Sequence, residues 1–264
     1  MFHLAAYSES LGSVTNSDVN AVVDDVLAQN NSHLIFTDAY NLIAAWAFGA
    51  NLSRMRFGNV ALTQLGQNHL WPIEVSGTVP DDPAVIDMRD DPLLMPMDEE
   101  ITLEATTSAI GPAQHGAVLW LSPPGTPMSI PRGIDRFITR STVVIAAGSE
   151  TTWTALATPT FERDLYNGSY AVVGAWMVAA NALAFRMRFP DQPGVMGKQL
   201  RPGGLVQDTL GLAPWSAQRG GLGEWGRFHT FSRPQVQVLA DAAGGTYDLF
   251  LDLVYLGRGR ELVG

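Results

Sequence analysis

Cysteine is absent from this 264-residue chain, which excludes disulfides, a thiolate nucleophile and any sulfur-ligated metal centre. Lysine is nearly absent as well: Lys198 is the single one, so Schiff-base and ammonium phosphate-clamp chemistry is confined to that position. Positive charge as a whole is scarce. The 16 Lys and Arg residues face 26 Asp and Glu, for a net charge of -10, and such a surface repels nucleic acid, so no direct nucleic-acid binding is expected. Membrane-length apolar runs are lacking too. The apolar stretch Tyr170 to Phe185 contains Asn181, falls short of the roughly 20 residues a spanning helix needs, and reads better as a pair of buried strands. The N-terminus lacks a basic region and meets Glu9 early, so it does not read as a signal peptide.

Catalytic signatures are missing in the same way. There is no G-x-S-x-G hydrolase elbow. The five histidines, His3, His33, His69, His115 and His229, form no His-x-His pair, which the metal-binding double-domain β proteins require around one ion. Each is read as a surface or turn residue. Gly221-Leu-Gly223-Glu-Trp225-Gly226 matches the dinucleotide pattern G-x-G-x-x-G, but that pattern needs a strand before it and a helix after it to hold a pyrophosphate. Neither context is present, so it reads as a Gly-rich loop with Trp225 buried or against a neighbour. No catalytic, cofactor-binding or metal-ligating residue is assigned, no cofactor is expected, and the chain is not expected to be an enzyme.

What the chain does contain is an internal echo. Tyr40 to Phe57 recurs as Tyr170 to Phe189 with a two-residue insertion, sharing Tyr, Ala, Trp, Ala, Asn and then Arg-Met-Arg-Phe. Chance supplies roughly one or two identities over such a window. Farther on, Ile101 to Leu121 aligns with Val236 to Leu256 without gaps at an offset of 135, matching Ala105 with Ala240 and Leu121 with Leu256. The offsets are collinear, as duplication of one module requires. The Pro/Gly-rich segment 123–133 reads as a linker between a first module, 1–122, and a second, 134–264.

Most segments read as strands: Phe185, Met187 and Phe189 alternate with Arg186 and Arg188, one face apolar and the other polar. Over Asn16–Gln29, Val19, Val22, Val23, Val26 and Leu27 fall on one helical stripe behind an Asn16/Ser17 cap, predicting a short amphipathic helix. The competing reading is a strand, because the corresponding region near Glu150 to Thr160 is strand-like. The sum is an all-β chain of two tandem β-sandwiches, jelly rolls fitting the module length best, with long loops at 74–100 and 190–235. An immunoglobulin-like pair is the alternative.

Two charged features repeat or cluster. Asp81, Asp82, Asp87, Asp90, Asp91, Asp98, Glu99 and Glu100 lie among four prolines; their spacing matches no ion-binding loop and reads as a solvated loop. Arg54/Arg56 and Arg186/Arg188 recur with the duplication. They are either solvent-face arginines or contacts for an acidic partner such as the Asp-rich loop of an adjacent subunit.

The duplicated Tyr40–Phe57 and Tyr170–Phe189 segments, the paired hairpins ending at Leu121 and Leu256, and the Pro/Gly linker together resemble the double jelly-roll major capsid proteins of tailless icosahedral viruses, especially the smaller membrane-containing bacteriophages. The resemblance implies a virion protein made in the host cytoplasm, assembling as pseudo-hexameric homotrimers that tile a shell. Its implied partners are itself, vertex or minor capsid proteins and an internal viral membrane. Two other classes stay open: a tandem β-sandwich lectin or receptor-binding protein that stacks sugars on Trp71, Trp153, Trp215 or Trp225, and an enzyme whose pocket joins carboxylates or histidines from both modules.

Overall fold

The structure is a computed structural model describing residues 3–24, 27–30, 33–49, 51–58, 69–70, 85–95, 97–98, 100–108, 111–126, 129–178, 182–190, 192–199, 223–240 and 243–258. Among the described residues every regular element is a strand. The first half carries β1 (His3–Leu11), β2 (Val14–Asp18), β3 (Ala28–Asn30), β4 (His33–Ile35), β5 (Tyr40–Phe48), β6 (Leu52–Gly58), β7 (His69–Leu70), β8 (Val85–Asp87), β9 (Leu93–Met95), β10 (Glu100–Thr107) and β11 (Ala113–Ser122). The second carries β12 (Asp135–Ile145), β13 (Thr160–Phe161), β14 (Ser169–Val178), β15 (Ala182–Phe189), β16 (Gln192–Gln199), β17 (Gly226–His229), β18 (Gln235–Ala240) and β19 (Gly245–Gly257).

The strands form antiparallel sheets. In the first half these are β1-β11-β5-β8, with β9 also on β5, and β3-β4-β10-β6-β7, with β2 on β10. In the second they are β13-β12-β19-β14-β17 and β16-β15-β18. The ladders β1-β11-β5 and β10-β6 thus have counterparts in β12-β19-β14 and β18-β15. A β-bulge marks the same step in both halves. Ile43 is skipped between the pairs Leu42↔Leu121 and Ala44↔Trp120, and Val173 between Val172↔Leu253 and Gly174↔Asp252. Trp46 and Trp176 each lie three residues past the bulge, opposite Val118 and Phe250.

This register corrects the gapless offset of 135. Leu121 holds the place of Leu253, not Leu256, and Ala105, opposite Met55, that of Val236, opposite Met187, rather than Ala240. A strand's apolar pattern repeats every two residues, so matching residue types leaves the register open: the slip at Leu121 is three residues, which turns the side chain to the opposite face, and at Ala105 four, which keeps the face. Leu253 is fully buried, whereas Leu256 only packs at the edge of a small cluster.

The helix expected over Asn16–Gln29 is not formed. Val14–Asp18 is a strand on β10, Ala28–Asn30 pairs with β4, and Ala21 bridges Tyr7. The amides a helix would need are used across the sandwich: Val19 N–H donates to Leu103 O and Val22 N–H to Ala6 O, at 2.8 and 2.9 Å. The stripe of β-branched valines suits extended chain better than helix. The expected loops 74–100 and 190–235 also contain strands, β8 and β9 on β5 and β16 and β17 on β15 and β14.

The core explains the apolar composition of β1, β5 and β11. Along β1, Ala5 and Tyr7 enter the first half's own core while Leu4 and Ala6 join the core of the second half. Along β11, Ala117, Leu119 and Leu121 take the first side and Val118 and Trp120 the other. A sheet covered on both faces loses the polar alternation of a half-solvated one. Trp120 meets Trp225 edge to face at a centroid distance of 4.9 Å, joining the halves, and burying side chains of this size contributes roughly 1.5–3 kcal/mol each.

Candidate functional site

Where the halves meet, the structure buries a charged cluster. Asp24, Arg186 and His3 are 1%, 1% and 3% exposed. Asp24 comes from the chain that crosses back beside β1 after β2; Arg186 lies on the outward face of β15, between the inward Phe185 and Met187. Arg186 Nη1 donates to Asp24 Oδ2 at 2.8 Å, and His3 Nε2 lies 3.1 Å from the same oxygen. The Leu27 amide donates to Asp24 Oδ1 at 3.0 Å. Arg186 Nε donates to Gln237 Oε1 at 2.8 Å, Gln237 donates onward to Thr154 O, and the guanidinium carbon sits 4.4 Å from the Trp153 ring centroid.

Burial by itself pushes the Asp24 carboxyl up; the His3 hydrogen bond, the charges of His3 and Arg186, and the Leu27 amide outweigh it and hold the group at about 2. Asp24 is therefore an anion at neutral pH, and the guanidinium has a matched, hydrogen-bonded counterion. Such a cluster can clamp the two halves in one register. It lies within packed protein rather than at a cleft.

The placement of Arg186 corrects the expectation for the repeated arginines. Arg186 is buried inside the chain rather than facing solvent or another subunit. Arg54 contacts Asn16 Oδ1, and Arg56 pairs with Glu104 across the β6–β10 ladder. Asp24 was missed in the sequence, although a charge inside Ala21-Val-Val-Asp24 is the one available signal. Two histidines are also corrected. His3 is in the cluster, and His115 is fully buried against Thr107 and the Ala113 carbonyl. His33 pairs with Glu100 at 3.0 Å, and His229 stacks on Phe231. His69 lies on the short β7, paired with Arg56 on β6. Among the described residues no three His, Asp or Glu side chains gather as a metal site.

Asp90, Asp91 and Asp98 are exposed, while Asp81, Asp82 and Glu99 lie outside the described residues. Of the Gly-rich motif, Gly221 lies outside them too, and Gly226 opens a strand; a Cβ there would meet Phe189 at 2.6 Å, so glycine permits close packing of β17. Trp153 and Trp225 are buried at 7% and 1% exposure and cannot stack a sugar as they stand; Trp71 and Trp215 lie outside the described residues. A shallow cleft of about 380 Å³ is lined by Thr158, Pro190, Thr230, Phe231, Arg233 and Gln235. It brings together none of the carboxylates or histidines that a dispersed active site requires.

No protein-family model and no curated protein matches this sequence. Among solved structures the chain is similar to the crystal structure of the major capsid protein P2 from bacteriophage PM2, over 99% of each chain, with 8% identity and a TM-score of 0.21.

Proposed function

We propose that this chain is the major capsid protein of a tailless icosahedral bacteriophage, built from two duplicated jelly rolls and assembling as homotrimers that tile the virion shell. The observation that carries the reading is the strand order. A jelly roll of eight strands puts the first, eighth, third and sixth in one sheet and the second, seventh, fourth and fifth in the other. Counting β1, β2, β5, β6, β7, β8, β10 and β11 in sequence, the first half has that order in both sheets. In the second half β12, β19, β14 and β17 follow the first series. There β18, β15 and β16 follow the other, with the bridge Ala157↔Val236 in the place of the second strand.

Two tandem jelly rolls in one chain suit a trimer of pseudo-hexagonal outline, because three chains bring six similar sandwiches into one ring. The role is structural rather than enzymatic. The acidic balance supports a shell set apart from the genome, as in a virion with an internal membrane, with synthesis in the host cytoplasm and contacts to vertex or minor capsid proteins. The test is sedimentation of the purified chain at micromolar concentration and moderate salt, followed by negative-stain microscopy. Trimers or sheets with hexagonal outline are expected. A stable monomer that binds soluble glycans would replace this reading with the lectin one.

A further inference from the structure

The contact between the halves has an unfilled counterpart. Within the chain, the second half's Arg186 and Gln237 lie on the first half's Asp24 and His3, beside the buried Leu4 and Trp120. The ladders identify the equivalent of each group. Trp120 corresponds to Asp252, so Leu4, opposite Trp120, corresponds to Ile138, opposite Asp252. Tyr7 bridges Ala21 as Ser141 pairs with Phe161; three residues beyond these partners lie Asp24 and Asp164. On the other surface Arg186 corresponds to Arg54 in the repeated Arg-Met-Arg-Phe, and Gln237, opposite Arg186, to Thr106, opposite Arg54.

In the second set Ile138 and Asp164 are exposed, Arg54, Thr106 and Asp252 are half-buried, and one end of the sheet is covered where Ile130 packs on Ala171, Val173 and Val254. Ile138 and Val144 on β12 are 60% and 66% exposed, where Leu4 is fully buried. Trp176 stacks flat on Phe250 at 5.3 Å on the same sheet, at the places of Trp46 and Val118. Asp164 is exposed and has no ion-pair or hydrogen-bond partner among the described residues. Arg54 donates to Asn16 Oδ1 and, among the described residues, meets no carboxylate. Among the described residues one chain therefore holds an acid and a guanidinium without a countercharge at the register positions of its own buried Asp24–Arg186 pair. On this sheet Arg136 pairs with Asp252 and Arg140 with Asp248, giving the mixed apolar and polar surface usual where separately folded chains meet.

We propose that a second copy of this chain docks its first half on the outer face of β12-β19-β14, with its Arg54 on Asp164, and so repeats between chains the contact made within one. The inference rests on the self-assembly reading above and adds which surfaces meet. The contact is head to tail, since each chain offers an Arg54 surface on its first half and an Asp164 surface on its second, and such contacts close into a ring where the rotation between copies closes and into filaments where it does not.

The absence of native cysteine makes the test direct. Arg54→Cys and Asp164→Cys are introduced together and singly into the full chain, which is then treated with a mild oxidant. The double variant is expected to give reducible species of two and three chain masses on a denaturing gel, while each single variant stays at one. Separately, Asp164→Arg, in an exposed turn, is expected to weaken assembly about tenfold or more, with recovery when Arg54→Asp is added. If the wild type assembles but the double cysteine variant forms no intermolecular link and Asp164→Arg assembles normally, the docking is overturned and self-assembly stands. A wild type that never assembles overturns both.

Discussion

Replacing Asp24 by Asn keeps the shape of the side chain and removes its charge from between His3 and Arg186. The structure sets the size of the effect. The Asp24 carboxyl falls from 3.8 to about 2 on folding, and a drop of nearly two units corresponds to roughly 2–3 kcal/mol of stability at neutral pH. Because the folded value is depressed, this contribution is fully present above about pH 4 and is lost as pH falls through about 2. Asp24→Ala should cost more, roughly 3–5 kcal/mol, because it leaves Arg186 buried with neither a counterion nor its hydrogen-bond acceptor. For a chain of this length, the Asn variant should melt about 4–6 °C lower at pH 7. The assay is thermal or urea unfolding of wild type and both variants from pH 7 down to pH 2, with the gap between wild type and Asn narrowing toward the acid end. An Asn variant within about 0.5 kcal/mol of wild type at pH 7, or a gap that does not change with pH, would refute the account of the cluster.

Trp120→Ala removes one ring of the edge-to-face pair with Trp225 at the junction of the halves and should destabilise the protein by about 3–5 kcal/mol; chemical denaturation measures it, and a loss under 1 kcal/mol would mean the halves are joined elsewhere. Tyr7→Phe removes the buried hydroxyl that donates to Ile101 O at 2.5 Å and should cost about 1–2 kcal/mol. Burial raises the Tyr7 phenol far above its ordinary value, so in an alkaline absorbance titration it should not ionise before the protein unfolds, and ionisation of every tyrosine near pH 10 in folded protein would contradict its placement.

The strand character of Phe185 to Phe189 was legible because alternation and β-branched or aromatic content are local properties of one face. The recurrence of Trp46 and Trp176 was legible from the identical residues around them in the two repeats. The Asn16–Gln29 segment stayed open between helix and strand because a stripe of valines satisfies a helical period and an extended chain equally, and the choice fell to distant acceptors, Leu103 O and Ala6 O. The charged cluster was not legible: Asp24 and Arg186 are 162 residues apart in sequence, and nothing local shows that each supplies what the other lacks.

The sequence by itself determined an acidic, cysteine-free, all-β chain with a repeated Trp-containing segment, since composition and two-residue periodicity act residue by residue. Tertiary structure alone decided the register between the halves, the two-sided burial of β1 and β11, and which arginine of the repeat is buried. Arg54 and Arg186 stand in the same local sequence and in equivalent ladders, β6–β10 and β15–β18. Arg186 is fully buried and Arg54 half-buried, because a strand's side chain takes its environment from the surface folded against it, and among the described residues a carboxylate-bearing surface of the other half lies on Arg186 and not on Arg54.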